Sequence, residues 1–432
     1  MHNTTFLSIL AATTVLAACC VITPADAQSI DLSPVSPDAW YTHHSSLAHK
    51  PHGTLLKKQN ITNRVTAPNY TTYRILYTSR DKNKRPIVAS GLVQYPTQWK
   101  KYRSSARHVV VNNYYLNSLT PACSPSWMFQ DKNPKVKARP GVLSQGQHHH
   151  FSFETLYPQS QHWTLFMPDF LGPDSTYGVN HTSAHIILDG MLALTRSMNS
   201  LAPGFPTPDF GIQGFSGGAM ATGAAAILLP SYTPQLKRRI SSFVMGGTPA
   251  DTVAMVDTFL PVADRMYTQR NNPNLPISLM YAVGLAREYP QFARMFTQSL
   301  TPTGRKTVHA IKNMCLPEVT QYVTQRNLSM RDITRTNWVS SPLMRRYSAQ
   351  ESLIYWRSIP TRYPHYYSYF GYVENLVRPD RMMALTHSWR NHQLFAVDFV
   401  VPGVDHISAQ PGGVGKVMEI MEKEFRRQEL SH

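Results

Sequence analysis

Acidic residues are scarce in this chain. Asp and Glu number 25 against 42 Lys and Arg in 432 residues, which leaves a formal charge of +17. That balance favours anionic partners, such as lipid headgroups or an acidic cell surface. The basic residues are spread out, with modest clusters only at Lys100-Lys101-Tyr102-Arg103 and Lys237-Arg238-Arg239. No zinc-finger spacing, RNA-recognition signature or basic arm accompanies them, which argues against a specific nucleic-acid reader.

Cysteine is scarcer still, with four in all. That excludes a disulfide-dense scaffold. Cys19 and Cys20 fall in an apolar leader, which leaves Cys123 and Cys315 in the body of the chain. Two cysteines in an oxidising compartment predict one disulfide. His148-His149-His150 is a conspicuous histidine run. Three consecutive side chains point different ways on a strand or a helix, and no further ligand stands at metal spacing. The run therefore reads as a polar loop, and no metal is expected.

Long hydrophobic runs are also lacking. Residues 6 to 22 are apolar and small, and Ala25-Asp26-Ala27 before Gln28 reads as a signal-peptidase site. The run is too short for a spanning helix, and none follows. Residues 1–27 are thus expected to be a signal peptide, with the mature chain secreted or periplasmic. Leu16-Ala17-Ala18-Cys19 also has the form of a bacterial lipobox, so a lipid anchor on Cys19 is the alternative.

The stretch Pro208-Asp-Phe-Gly-Ile-Gln-Gly-Phe-Ser-Gly-Gly-Ala-Met-Ala-Thr-Gly-Ala-Ala-Ala-Ile-Leu-Leu229 organises the rest. Phe210, Ile212 and Phe215 predict a buried strand. Gly214-Phe215-Ser216-Gly217-Gly218 predicts a sharp turn, and Ala219 to Leu229 a closely packed helix. The Gly-x-Ser-x-Gly pattern alone is common by chance; strand before and helix after make it a nucleophile elbow.

Around it the pattern alternates. Tyr70–Tyr77, Ile87–Val93, His108–Asn112, Trp163–Asp169 and Ile240–Met245 read as strands, and Ala184–Asn199 as a helix. Residues 28 to 68 read as polar and irregular. Strands alternating with helices predict a parallel sheet. After Gly247 only helical patterns occur to about residue 355, rich in Met, Leu, Phe and Tyr. The sheet resumes with Tyr366–Phe370 and Leu394–Val401, and a last helix is expected over Val417–Gln428. The reading is an α/β-hydrolase core over 28–247 and 356–432 with a helical cap over 248–355.

A serine hydroxyl needs a base to take its proton, and the base needs an acid to fix its tautomer. In this fold they follow in the order serine, acid, histidine. His406 comes just past the last strand, while His387 and His392 fall in or beside a helix and His432 is the terminus. Glu374, just past the end of the preceding strand, is the preferred acid, with Asp380 as alternative. Asp405 is adjacent to His406, so their side chains diverge, and Asp398 lies inside a strand.

Several of these stretches together resemble the secretory lipase family, α/β-hydrolases with a helical cap. They are Thr72-Tyr-Arg-Ile-Leu-Tyr77, Pro86–Gly91, Pro168-Asp-Phe-Leu-Gly-Pro173, Leu188-Asp-Gly190, the elbow, Gly246-Gly-Thr-Pro249, the Gly371–Pro379 turn and Asp405-His406. The resemblance implies ester hydrolysis with Ser216 as nucleophile and His406 as base. The family's Gly-x-x-Asp turn reads Gly371-Tyr-Val-Glu374 here, so the acid would be Glu374. The oxyanion hole would use the N–H of Gly217 and, where the family has Asp, Asn117.

The expected function is an exported serine esterase or lipase that forms an acyl-Ser216 intermediate on acyl-ester or lipid substrates, with no metal or cofactor. An acyltransferase or peptidase with the same triad, or a catalytically silent envelope-binding protein, are the alternatives. The apolar side of the cap is expected to line an acyl pocket.

Overall fold

The structure is a computed structural model. It describes residues 30–42, 49–139, 141, 152–259 and 267–431. The expected signal peptide, the Cys19 anchor, the His148–His150 run and His432 lie outside the described residues.

Nine strands form one sheet in the order β1-β2-β3-β5-β4-β6-β7-β8-β9. They run Leu55–Asn60, Tyr70–Arg80, Pro86–Pro96, His108–Asn113, Thr164–Pro168, Asp209–Phe215, Ile240–Gly246, His365–Gly371 and Ala396–Val401, numbered in chain order. β1, β2 and β3 pair antiparallel, and so do β3 and β5. From β5 to the β9 edge every pairing is parallel. Parallel neighbours need crossovers, and helices supply them. In chain order the helices of eight or more residues are α1 (Phe153–Ser160), α2 (Asn180–Leu201), α3 (Gly217–Tyr232), α4 (Thr252–Phe259), α5 (Leu275–Glu288), α6 (Pro290–Ser299), α7 (Pro302–Ile311), α8 (Leu316–Gln325), α9 (Pro342–Glu351), α10 (Pro379–Asn391) and, after the last strand, α11 (His406–Leu430). Strands buried on both faces read as unbroken apolar runs, as Val109-Val110-Val111 does.

Helices α4 to α9 all fall between β7 and β8. They have a core of their own, with Leu279, Val283, Phe292, Phe296, Ile311 and Trp338 buried among one another. The sheet and its flanking helices share a second, larger core. Cys123 and Cys315 form a buried disulfide, 192 residues apart, that fastens the loop after β4 to the start of α8. Among the described residues no helix is long and apolar enough to cross a membrane.

Two expectations are corrected. Residues 28 to 68 are not wholly irregular, because β1 occupies Leu55–Asn60. Only its first two residues are apolar; Lys57 and Lys58 are exposed, and main-chain pairing to β2 makes it a strand. Lysines suit an edge strand, since they discourage pairing with another chain. The last helix begins at His406 rather than Val417, running through Pro411, Gly412, Gly413 and Gly415. Those residues are poor helix formers, but packing overrides propensity. A Cβ on Gly413 would come within 2.7 Å of the Tyr369 ring and one on Gly412 within 3.0 Å of Val401, so their small size lets the helix lie close to β8 and β9.

Candidate active site

Ser216 stands between β6 and α3 with φ +51° and ψ −120°. A non-glycine residue at positive φ is strained, and such strain gathers at functional turns. The turn is held by the Ser216 N–H, which donates to the Gly246 carbonyl on β7 at 2.8 Å. The serine side chain thus sits over the amino terminus of α3, where free N–H groups and the helix dipole favour negative charge.

His406 is the first residue of α11 and is buried, with its ring 5.1 Å from that of Phe215. Its Nε2 lies 3.1 Å from Ser216 Oγ. Its Nδ1 lies 3.0 and 3.1 Å from the two carboxylate oxygens of Glu374. A carboxylate can only accept, so Nδ1 carries the proton and Nε2 is left to accept from the serine. The helix starts here because the Asp405 side chain caps it, accepting from the Ser408 N–H at 2.9 Å.

The side chain of Glu374 is almost fully buried. One oxygen accepts from the N–H groups of Leu376 and Val377 at 3.0 and 3.1 Å. Burial pushes its carboxyl up, but the bonds and charge from His406 and the two main-chain donors outweigh this and hold it below its ordinary value. These anchors are main-chain groups, which any residue type supplies, so no pattern of side chains could have disclosed them.

The other candidates stand apart. Asp380 is exposed and paired with Arg378 at 2.9 Å. Asp398 accepts from Thr386 and Arg390. His387 and His392 are exposed on or beside α10. Cys123, Cys315 and Glu318 lie close enough together to suggest a metal. The two sulfurs are consumed in the disulfide, and Glu318 pairs with Arg139 and accepts from the Cys315 N–H.

Gly217 is the first residue of α3, so its N–H has no acceptor within the helix. Asn117 is next to it: a Cβ on Gly217 would lie 3.8 Å from Asn117 Oδ1, and that oxygen accepts from the Tyr177 hydroxyl at 2.8 Å. The Asn117 N–H itself donates to the Tyr115 carbonyl at 2.9 Å. The Asn117 carbonyl accepts from the Leu316 N–H at 2.9 Å, next to the disulfide.

A cavity of about 970 Å³, open solvent included, is lined in part by Ser216 and Gly217. Its walls are mostly apolar. Leu116, Phe170 and Met220 come from the sheet side, Ile277, Trp338 and Met344 from α5 to α9, and Leu376 and Val377 from the loop that anchors Glu374.

A mostly parallel sheet with a serine at a strand-to-helix turn, an acid after one strand and a histidine after the next defines an α/β-hydrolase. The chain belongs to the secretory lipase family, whose model matches residues 151–430. It is 28% identical over 285 residues, 64% of this chain, to the secreted triacylglycerol lipase LIP3 of Malassezia restricta. It is 23% identical over 345 residues, 78% of this chain, to the probable trichothecene esterase SAT6 of Stachybotrys chartarum. The matches span 55% and 66% of the length of those relatives. Among solved structures it resembles Candida antarctica lipase A, with TM-score 0.73 at 19% identity, covering 92% of this chain and 88% of that one. It also resembles the rice cell wall degrading esterase LipA of Xanthomonas oryzae, with TM-score 0.60 at 14% identity, covering 88% of this chain and 99% of that one.

Proposed function

We propose that this protein is an exported carboxylic ester hydrolase working through an acyl-Ser216 intermediate. The observation that carries the reading is His406, in hydrogen-bond reach of Ser216 on one nitrogen and of Glu374 on the other, with Ser216 lining an apolar cavity. Ser216 Oγ attacks the ester carbonyl while His406 Nε2 takes its proton. Glu374 holds the ring and stabilises the imidazolium. The Gly217 N–H receives the oxyanion. Asn117 is the second donor, its N–H shared between the Tyr115 carbonyl and the oxyanion. His406 returns the proton to the leaving alkoxide, then takes one from the water that attacks the acyl-serine and gives it to Ser216 Oγ as the acid leaves.

Helices α4 to α9 act as a cap in this reading, and the cavity beneath them takes the acyl chain. Membership of a secretory family and relatives named as secreted support export. A panel of chromogenic esters of increasing acyl length, run with a fluorophosphonate probe, tests the proposal. Hydrolysis with labelling that maps to Ser216 is expected. Labelling elsewhere, or turnover that persists in Ser216→Ala, would defeat it.

A further inference from the structure

Glu154 on α1 takes no part in that chemistry, yet it is 3% exposed and meets no cation among the described residues. A buried carboxyl is costly unless its oxygens are satisfied. Here amides face them and offset part of that cost, although burial still holds the carboxyl above its ordinary value. Gln410 Nε2 donates to Oε1 at 2.8 Å and Asn112 Nδ2 to Oε2 at 3.5 Å. Asn112 presents its NH₂ because its own oxygen is taken by Gln213 Nε2 at 2.8 Å. Asn112 and Gln213 face each other across β4 and β6.

The two ends of this chain of bonds matter. Gln213 lies on β6, three residues before Ser216. Gln410 lies one helical turn after His406, on the same face of α11. That first turn is weakly joined to the rest of its helix. Pro411 has no N–H to give the Ile407 carbonyl, and Gly412 and Gly413 follow. Asp405 caps the turn in front; behind, the Gln410 side chain hydrogen-bonds across to another element through Glu154.

We propose that Glu154 is a positioning residue for His406, acting through Gln410, in a buried relay that ties the strand of the nucleophile to the turn of the base. The inference rests on Ser216 and His406 acting as nucleophile and base. The relay needs an acceptor on both oxygens of residue 154. Glutamine has the same shape but offers one oxygen and one NH₂, so either Asn112 or Gln410 must turn its own amide over, disturbing the relay, or lose its bond to residue 154.

Glu154→Gln, Gln410→Met and the combined variant test this, with rates counted per fluorophosphonate-titrated site so that unfolded protein does not enter. Gln410→Met breaks the relay from the other side should Glu154→Gln fold poorly. Each single variant should lose about threefold or more in kcat with KM within about twofold, and the combined variant should be no worse than the poorer single one, because the residues act as a unit. The low-field proton resonance of the His406 Nδ1–H should move or broaden in both. A loss below about threefold, a loss confined to KM, or losses that multiply in the combined variant would overturn the proposal. If the wild type hydrolyses no ester, the ester reading fails instead. The resonance needs no substrate and still decides this one, an unmoved signal overturning it.

Discussion

The carbonyl oxygen of Asn113 fills the space in which a side chain on Gly218 would begin. Asn113 ends β4, and Gly218 is the second residue of α3. The nucleophile's helix therefore presses against the strand end that leads into the Asn117 loop. Asn113 Nδ2 also donates to Thr222 Oγ1 at 2.9 Å, one turn further along α3. Gly218→Ala should push these elements apart. Overpacking of this kind costs about 1–3 kcal/mol, so the melting temperature should fall, and kcat with it because Ser216 and Asn117 are moved apart. An alanine variant with wild-type melting and turnover would show that the contact is not needed.

Ser216→Ala and His406→Ala should each remove nearly all ester hydrolysis. In a cooperating pair the double variant loses little more than either single one. Steady-state rates on one soluble ester compare the three. Losses that multiply would mean that His406 works independently of Ser216.

Glu374→Gln should preserve the fold and lower kcat by about 10³–10⁴-fold, because the amide can donate to Nδ1 and stabilise the wrong tautomer. Its acid stability should change too. The Glu374 carboxyl is held below its ordinary value in the folded protein. Its contribution is therefore fully present above the unfolded value of about 4.3 and is lost as pH falls through the folded one. Denaturant melts from neutral to acid pH should show the wild type losing stability more steeply than Glu374→Gln below about pH 4.3. Parallel curves would mean that the carboxylate is not stabilised as argued.

The Cys123–Cys315 disulfide closes a loop of 192 residues. In the chain-entropy model such a loop is worth about 5 kcal/mol, often less in practice. Replacing both cysteines by alanine should lower the melting temperature. It should also reduce turnover below that temperature, since the Asn117 carbonyl is bonded to Leu316 beside the bridge. Alkylation of the exported protein without reductant, followed by mass measurement, should find neither thiol free. Two labelled cysteines would contradict the bridge.

The cavity should set chain-length preference. Each buried CH₂ is worth about 0.8 kcal/mol, so kcat/KM should rise with acyl length until the cavity is full. Ile277→Trp, which projects bulk from α5 into that space, should move the optimum to shorter esters and leave acetate hydrolysis nearly unchanged. An optimum at acetate in the wild type, falling steadily from butyrate upward, would place the acyl chain elsewhere.

The elbow was legible because strand, turn and helix each leave a local trace: the apolar Phe210, Ile212 and Phe215, glycines about Ser216, then small residues. His406 was legible by position, as the histidine just past the last strand. Glu374 and Asp380 were harder to separate from sequence, since both follow β8 closely. The fold separates them by bringing the N–H groups of Leu376 and Val377 onto one carboxylate and Arg378 onto the other.

The amino-acid sequence by itself determined eight of the nine strands, the elbow and the candidate residues, because periodicity and turn chemistry act over a few neighbouring residues. Only the tertiary structure decided that β1 is a strand, that α11 begins at His406, and that Gln213, Asn112, Glu154 and Gln410 form one relay. It alone closed the cavity between Met220 and Ile277, which lie far apart along the chain. Sheet-edge pairing, close packing against glycine and hydrogen bonds between distant residues depend on where the chain returns to, and no local pattern records that.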